Sequence, residues 1–164
     1  IFMTYKINKG ITIIEIVIVI AIIGALSAII FPSLSRFRQE QALKNTTADI
    51  ISLLNKAKSD ADSLTIATDY SVHFESGRAV YFIGTSFTEP NATNKEVTLD
   101  SSVTIPASGG INLNGGGSNV TFTRLTGDAR GYVTGYGTII VRLVSDASRQ
   151  NTITINKTGS VSVN

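Results

Sequence analysis

Residues 11–31 have the sequence ITIIEIVIVIAIIGALSAIIF, an apolar run that contains one charged side chain, Glu15. A helix of this length spans about 31 Å, close to the hydrocarbon thickness of a bilayer. The run lacks the polar face of a helix packed on a soluble core, and lipid requires a helix despite the many β-branched residues. The sequence therefore predicts a membrane-spanning helix. A cleaved secretory signal is the alternative, but three bulky residues, 29–31, follow the small Ser27 and Ala28.

Glu15 is a charged residue in an otherwise apolar run, where a carboxylate is unfavourable. A carboxylate costs about 2.5–3.5 kcal/mol near the bilayer centre, and less at a position only four residues inside the run. Either the side chain reaches the headgroup region, or it has a cationic partner. A cut after Gly10 would give Ile11 a free α-amino group, and the amine of one chain could then pair with Glu15 of a neighbour. That pairing would offset the burial cost and set the stagger between subunits.

Residues 9–17, KGITIIEIV, resemble the prepilin processing motif of type IV pilins and type II secretion pseudopilins. The shared features are a short basic leader, Gly10, an apolar run and a Glu four positions after the first mature residue. Pro32 matches a helix-kinking proline common in the family. Ile11 departs from the pattern, since Phe or Met is usual there, which bears on methylation more than on cleavage.

The resemblance implies that residues 1–10 are a leader, which a prepilin peptidase removes by cutting between Gly10 and Ile11, with Lys9 beside the cut. It also implies N-methylation of Ile11 and a role for Glu15 in assembly. The implied partners are other pilin or pseudopilin subunits, the peptidase, an inner-membrane assembly platform and exported cargo. The implied location is the bacterial inner membrane, with a single pass and the C-terminal domain outside the cytoplasm. Lysines and arginines flanking the run slightly favour the opposite orientation.

Beyond Pro32, apolar residues recur at helical spacing and predict an amphipathic helix over residues 32–66. This helix would continue the first one with a bend at Pro32; two separate helices meeting there are the alternative. The predicted buried stripe comprises Leu34, Phe37, Thr47, Ile50, Leu54, Ala57, Ala61 and Leu64.

Residues 67–164 read as short strands separated by stretches rich in Gly, Ser, Thr and Asn. Residues 70–75 and 79–83 flank Ser76-Gly77 and predict a hairpin. Further strands are predicted at 96–99, 103–105, 120–123, 138–144, 152–156 and 160–163. A long helix packed on an antiparallel β-sheet is an α+β fold. This pattern is again pilin-like, and the order of strands after residue 119 resembles the H-type minor pseudopilins and related type IV minor pilins.

The charges give little support for a nucleic-acid partner. The chain has 14 basic and 12 acidic residues, and the loss of residues 1–10 removes Lys6 and Lys9 and leaves 12 of each. Some related minor pilins bind DNA through arginines around the glycine of the last hairpin. Residues 158–162 here read TGSVS, with only Lys157 basic beside them, so the electrostatic contribution is missing.

No residue pattern indicates catalysis, a metal or a cofactor. The chain has no Cys, and His73 lacks a second His, so a strand-face role is favoured over a ligand or base. Asp60 and Asp62 are two apart, and side chains at that spacing do not face each other on a helix. The sequence predicts a structural minor pilin or pseudopilin rather than an enzyme. The alternative is a membrane-anchored adhesin, or a DNA- or cargo-binding tip subunit of a type IV pilus competence system.

Overall fold

A computed structural model of the chain describes residues 10–63, 68–113, 116–130 and 136–164, with residues 28–32 and 136 described by their backbone alone. The chain divides into two units, Ile1–Arg38 and Gln39–Asn164. The predicted leader, apart from Gly10, and the predicted end of the long helix at residue 66 lie outside the described residues.

One helix, α1 (Ile13–Asp62), accounts for both predicted helical segments. The helix includes position 32, so a single helix is present where two were the alternative; the bend at Pro32 stays a prediction. Thr12 caps the N-terminus of α1, because its hydroxyl accepts a 3.3 Å hydrogen bond from the backbone N–H of Glu15. The sequence predicts a membrane span over residues 11–31, whereas no helix among the described residues combines the length and apolarity that crossing a membrane requires.

The buried stripe of α1 lies in the second unit and repeats every three or four residues. It consists of Leu43, Thr46, Thr47, Ile50, Leu53, Leu54, Ala57 and Ala61. The hydroxyl of Thr47 donates to the carbonyl of Leu43 at 2.7 Å and accepts from the Asn151 side chain at 3.0 Å, which satisfies this buried polar group. The predicted stripe was wrong at Leu34 and Phe37, which are exposed. Both belong to the first unit, and periodicity alone does not show how far along a helix other elements pack against it.

The first sheet has four antiparallel strands in the order β3-β2-β1-β6. They are β1 (Tyr70–Glu75), β2 (Arg78–Ile83), β3 (Lys95–Thr98) and β6 (Asn119–Phe122). The predicted hairpin is confirmed, with Glu75 opposite Arg78 across the Ser76-Gly77 turn. Strand β2 is buried on both faces of this sheet. Ala79 and Tyr81 belong to the main core, whereas Phe82 lies on the other face, where its ring centroid is 5.4 Å from that of Phe87.

The second sheet has the order β4-β7-β8-β9, and β5 also pairs with β7. Its strands are β4 (Val103–Thr104), β5 (Ile111–Asn112), β7 (Tyr136–Leu143), β8 (Gln150–Asn156) and β9 (Val161–Val163). All of these pairs are antiparallel. Strand β5 was not predicted, because it is two residues long and lies in a glycine-rich stretch.

One apolar core joins the helix stripe to both sheets. Ile50 and Leu54 of α1, Phe74 of β1, Phe122 of β6 and Ile153 of β8 are all fully buried within it. The chain therefore has an α+β fold, as the sequence predicts, with a helix packed on antiparallel sheets.

Candidate assembly site on the N-terminal helix

Large apolar side chains are exposed from Ile11, just before α1, to Leu26, all around the first part of the helix. Their relative exposure ranges from 49% to 84%. They are Ile11, Ile13, Ile14, Ile16, Val17, Ile18, Val19, Ile20, Ile22, Ile23 and Leu26. Soluble monomers rarely leave a continuous apolar surface of this kind uncovered, and such a surface marks a site of protein or membrane contact.

Glu15 is the one acidic residue in the first turn of this helix. A negative charge is favourable there, because the unpaired N–H groups at a helix N-terminus carry a partial positive charge. The side chain is exposed, and within the described part of the chain no cation forms an ion pair with it. Its carboxylate is therefore available to a cation from outside the described residues.

The other predicted processing residues are placed as follows. Gly10 and Ile11 are exposed and precede the first turn of α1, so the peptide bond between them lies on the surface. Lys9 lies outside the described residues, and of Pro32 only the helical backbone is described. Cleavage, methylation and the kink remain predictions.

A cluster of four charged side chains lies at the turn of the β1–β2 hairpin and was not predicted from the sequence. The guanidinium of Arg78 donates two hydrogen bonds to Glu75, at 2.8 and 3.1 Å, and two to Glu89, both at 2.9 Å. A fifth bond reaches Glu96 at 3.1 Å. Hydrogen bonds from Arg78 hold the pKa of Glu75 below its ordinary value. The cluster ties the segment that carries Glu89 to the hairpin.

His73 is a strand-face side chain on β1, in keeping with the sequence prediction. Its Nδ1 lies 2.6 Å from the Asn119 side-chain oxygen, and its ring stacks on Phe87 with the centroids 4.0 Å apart. Its Nε2 is 3.3 Å from Glu75. Among the residues that the structure describes, no group of three or more His, Asp or Glu side chains is placed to hold a metal ion.

Asp60 and Asp62 take separate partners. Asp60 accepts hydrogen bonds from Lys56 and from the Tyr81 hydroxyl, each at 2.8 Å, whereas Asp62 lies 3.8 Å from Lys58. Burial acts to raise the pKa of Asp60, but the two hydrogen bonds and the charges of Lys56 and Lys95 together outweigh it, so that the pKa lies below its ordinary value. The two carboxylates therefore do not face a common site, in agreement with their spacing on the helix.

The turn between β8 and β9 packs closely on two other segments. Gly159 has a φ of 70°, and a Cβ added there would collide with the carbonyl oxygen of Gly127 and approach Cε of Lys58. Only glycine fits a left-handed position with that contact. Lys157 is exposed beside the turn.

No protein-family model matches the sequence, and no curated protein matches it. Among solved structures, two crystal forms of the type IV minor pilin FimU from Pseudomonas aeruginosa are similar to the chain. One is 14% identical, with a TM-score of 0.57, and covers 78% of this chain and 92% of FimU. The other is also 14% identical, with a TM-score of 0.54, and covers 74% and 92%. At this level of identity the likeness establishes the fold, and the chain has the pilin fold.

Proposed function

We propose that the chain is a structural subunit, a minor pilin or pseudopilin, of a type IV pilus or type II secretion filament. The proposal rests on the part of α1 that lies in the first unit. Its apolar side chains are exposed on every side of the helix, around the one carboxylate of Glu15. The fold shared with a minor pilin supports it. The proposal includes no enzymatic activity.

Assembly through this helix follows from its surface. Each exposed Ile, Val or Leu side chain gains about 1.5–3 kcal/mol when it leaves water, and packing contacts replace this driving force where the surroundings are already apolar. Eleven such side chains supply enough surface for several neighbouring helices. Packing among several such helices in a filament thus explains why these apolar side chains are exposed in the single chain.

Glu15 gives the assembly its register. In the proposal, a prepilin peptidase cuts after Gly10, and the new amine of Ile11 in one subunit pairs with Glu15 of a neighbour. A buried carboxylate is costly without a cation, so the pair favours one axial stagger over others. Membrane insertion of residues 11–31 precedes assembly and rests on the sequence alone. In this arrangement the second unit, Gln39–Asn164, which we call the head, lies outside the cytoplasm. The interaction with an inner-membrane assembly platform and the assignment as an H-type minor subunit also rest on the sequence alone.

The test compares two carboxylate removals on the same helix. Glu15→Ala should leave the protein level unchanged but reduce the fraction of the protein found in sheared filaments by at least about tenfold. Breaking a buried ion pair costs about 3 kcal/mol or more, and about 1.4 kcal/mol already corresponds to a factor of ten. Asp49→Ala is the matched control, because Asp49 is an exposed carboxylate of α1 in the second unit. Equal incorporation of both variants would contradict the role of Glu15.

A further inference from the structure

Strand β9 forms one edge of the second sheet. It pairs with β8 along one side, with Val161 opposite Ile155 and Val163 opposite Ile153. No described residue pairs with its other side. An edge of this kind presents a row of backbone donors and acceptors to its surroundings.

The backbone groups on the open side belong to two valines. Asn164 exchanges hydrogen bonds with Thr152 at 2.9 and 3.0 Å, and Asn156 donates to Ser160 at 2.9 Å. Hydrogen-bonded pairs alternate along an antiparallel ladder, so Ser162 also faces β8. The N–H and C=O groups of Val161 and Val163 therefore point away from the sheet.

The same valines form an apolar border. Their partners Ile153 and Ile155 are fully buried, and residues opposite each other share a face of the sheet. Val161 and Val163 consequently lie on the core side, where Val161 is half-buried and Val163 remains 39% exposed. A residue placed beside each valine by a further strand would cover this border.

The edge is only three residues long, but it lacks the other features that usually prevent strand addition. Natural edges are protected by short length, charged side chains, prolines or bulges. Strand β3, at an edge of the first sheet, carries Lys95 and Glu96. Residues 160–164 read SVSVN, with neither a charge nor a proline.

We propose that the free edge of β9 is a docking site for an extended, uncharged segment of a different protein. This segment adds to the sheet as a further strand, and its apolar residues lie opposite Val161 and Val163. A charged side chain at those positions would have to lie against the apolar border, which excludes charged segments. Backbone hydrogen bonds give the affinity, and the alternation of apolar and small polar residues gives the selectivity. The inference is independent of the proposed role of the N-terminal helix.

The test uses the full chain in detergent and a fluorescent peptide, acetyl-Lys-Thr-Val-Thr-Val-Thr-Lys-amide, whose terminal lysines keep it soluble. Saturable binding is expected by fluorescence anisotropy. Val163→Pro removes an N–H that β8 does not use, so it should keep the fold and weaken binding about tenfold. Val163→Thr keeps the N–H and a branched side chain and is the matched control.

A second readout does not depend on any variant folding. Hydrogen exchange at the amides of Val161 and Val163 should be fast in the free chain and slow at least about tenfold with the peptide, while the Ser162 amide is protected in both states. Unchanged exchange at the two valines would overturn the proposal. So would equal binding of a peptide with Pro in place of Val, or protection of both amides by self-association of the chain alone.

Discussion

The hydroxyl of Tyr81 donates a 2.8 Å hydrogen bond to the carboxylate of Asp60 and so joins strand β2 to helix α1. The same carboxylate oxygen accepts from Lys56 at 2.8 Å, and the Lys56 ammonium lies 5.4 Å from the centre of the Tyr81 ring. Tyr81 is buried, whereas Asp60 is partly exposed. The contact therefore lies at the rim of the core, where the helix meets the first sheet.

Tyr81→Phe should lower the free energy of unfolding by about 1 kcal/mol, because it removes one hydrogen bond to a partly exposed charged group. Chemical denaturation followed by circular dichroism would measure it. Tyr70→Phe is the control, since Tyr70 is buried beside Tyr81 but its hydroxyl has no hydrogen-bond partner among the described residues. A larger loss for Tyr70→Phe than for Tyr81→Phe would show that the hydrogen bond to Asp60 is not what matters.

The head should lose stability in acid. Four carboxyl groups have lowered pKa values: Asp60, Glu75, Asp100 and Asp146. A carboxyl with a lowered folded-state pKa stabilises the fold above its unfolded pKa, and this contribution disappears as the pH falls through the folded pKa. Because the ordinary values are about 4, the free energy of unfolding should be level near neutral pH and fall below about pH 4.

Asp60→Asn should make that acid-induced decline shallower, as it removes one of the four titrating groups. Asp49→Asn is the matched control, because Asp49 lies on the same helix and is exposed. Denaturation midpoints measured from neutral to acidic pH would show the difference. Identical slopes for the two variants would argue against a contribution from the Asp60 contacts.

Gly159→Ala should destabilise the head by about 3 kcal/mol, since it combines a left-handed backbone with a collision against Gly127. Gly109→Ala separates the two effects. Gly109 has a similar φ of 71°, but nothing lies near an added Cβ. Its substitution should cost about 1 kcal/mol. Thermal unfolding would measure both, and equal losses would mean that the packing of the β8–β9 turn contributes nothing.

Truncation of two leucines of α1 should affect the stability of the head to very different extents. Leu54→Ala removes a fully buried side chain and should cost about 2–5 kcal/mol of head stability. Leu26 is exposed, so Leu26→Ala should change the unfolding of the head by less than about 0.5 kcal/mol. Denaturation of the head would check both values. In the proposed function Leu26→Ala instead weakens subunit cross-linking, and a destabilised head in that variant would contradict this division of roles.

The regular parts of the fold could be predicted from the sequence. Mostly apolar residues spaced three or four positions apart predicted the buried helix stripe from Thr47 to Ala61. Two segments of alternating apolar and polar residues on either side of Ser76-Gly77 predicted the first hairpin. These signals are local, because each depends on neighbours within one turn or one strand pair. They do not show how far along the helix the sheets pack against it, and this explains the wrong prediction at Leu34 and Phe37.

Contacts between distant segments could not be predicted. Arg78 contacts Glu96 because β3 pairs with β2. Arg78 contacts Glu89, and Phe87 stacks on His73, because the loop between β2 and β3 returns to the face of the first sheet away from the main core. No short-range pattern encodes that return. The candidate site differs, since Gly10, Ile11 and Glu15 lie within six residues of sequence and were identified together. All three are exposed, and the cleavage, the methylation and the pairing with Glu15 stay predictions.

The mass of the chain purified from filaments tests the central claim most directly. The proposed function predicts a chain that begins at Ile11, with one methyl group on its α-amine and with residues 1–10 absent. Fragmentation of the N-terminal peptide would place the cut and the methyl group. A filament-bound chain that still carries Lys9 and Gly10 would contradict the account, because Glu15 would then have no new amine to meet.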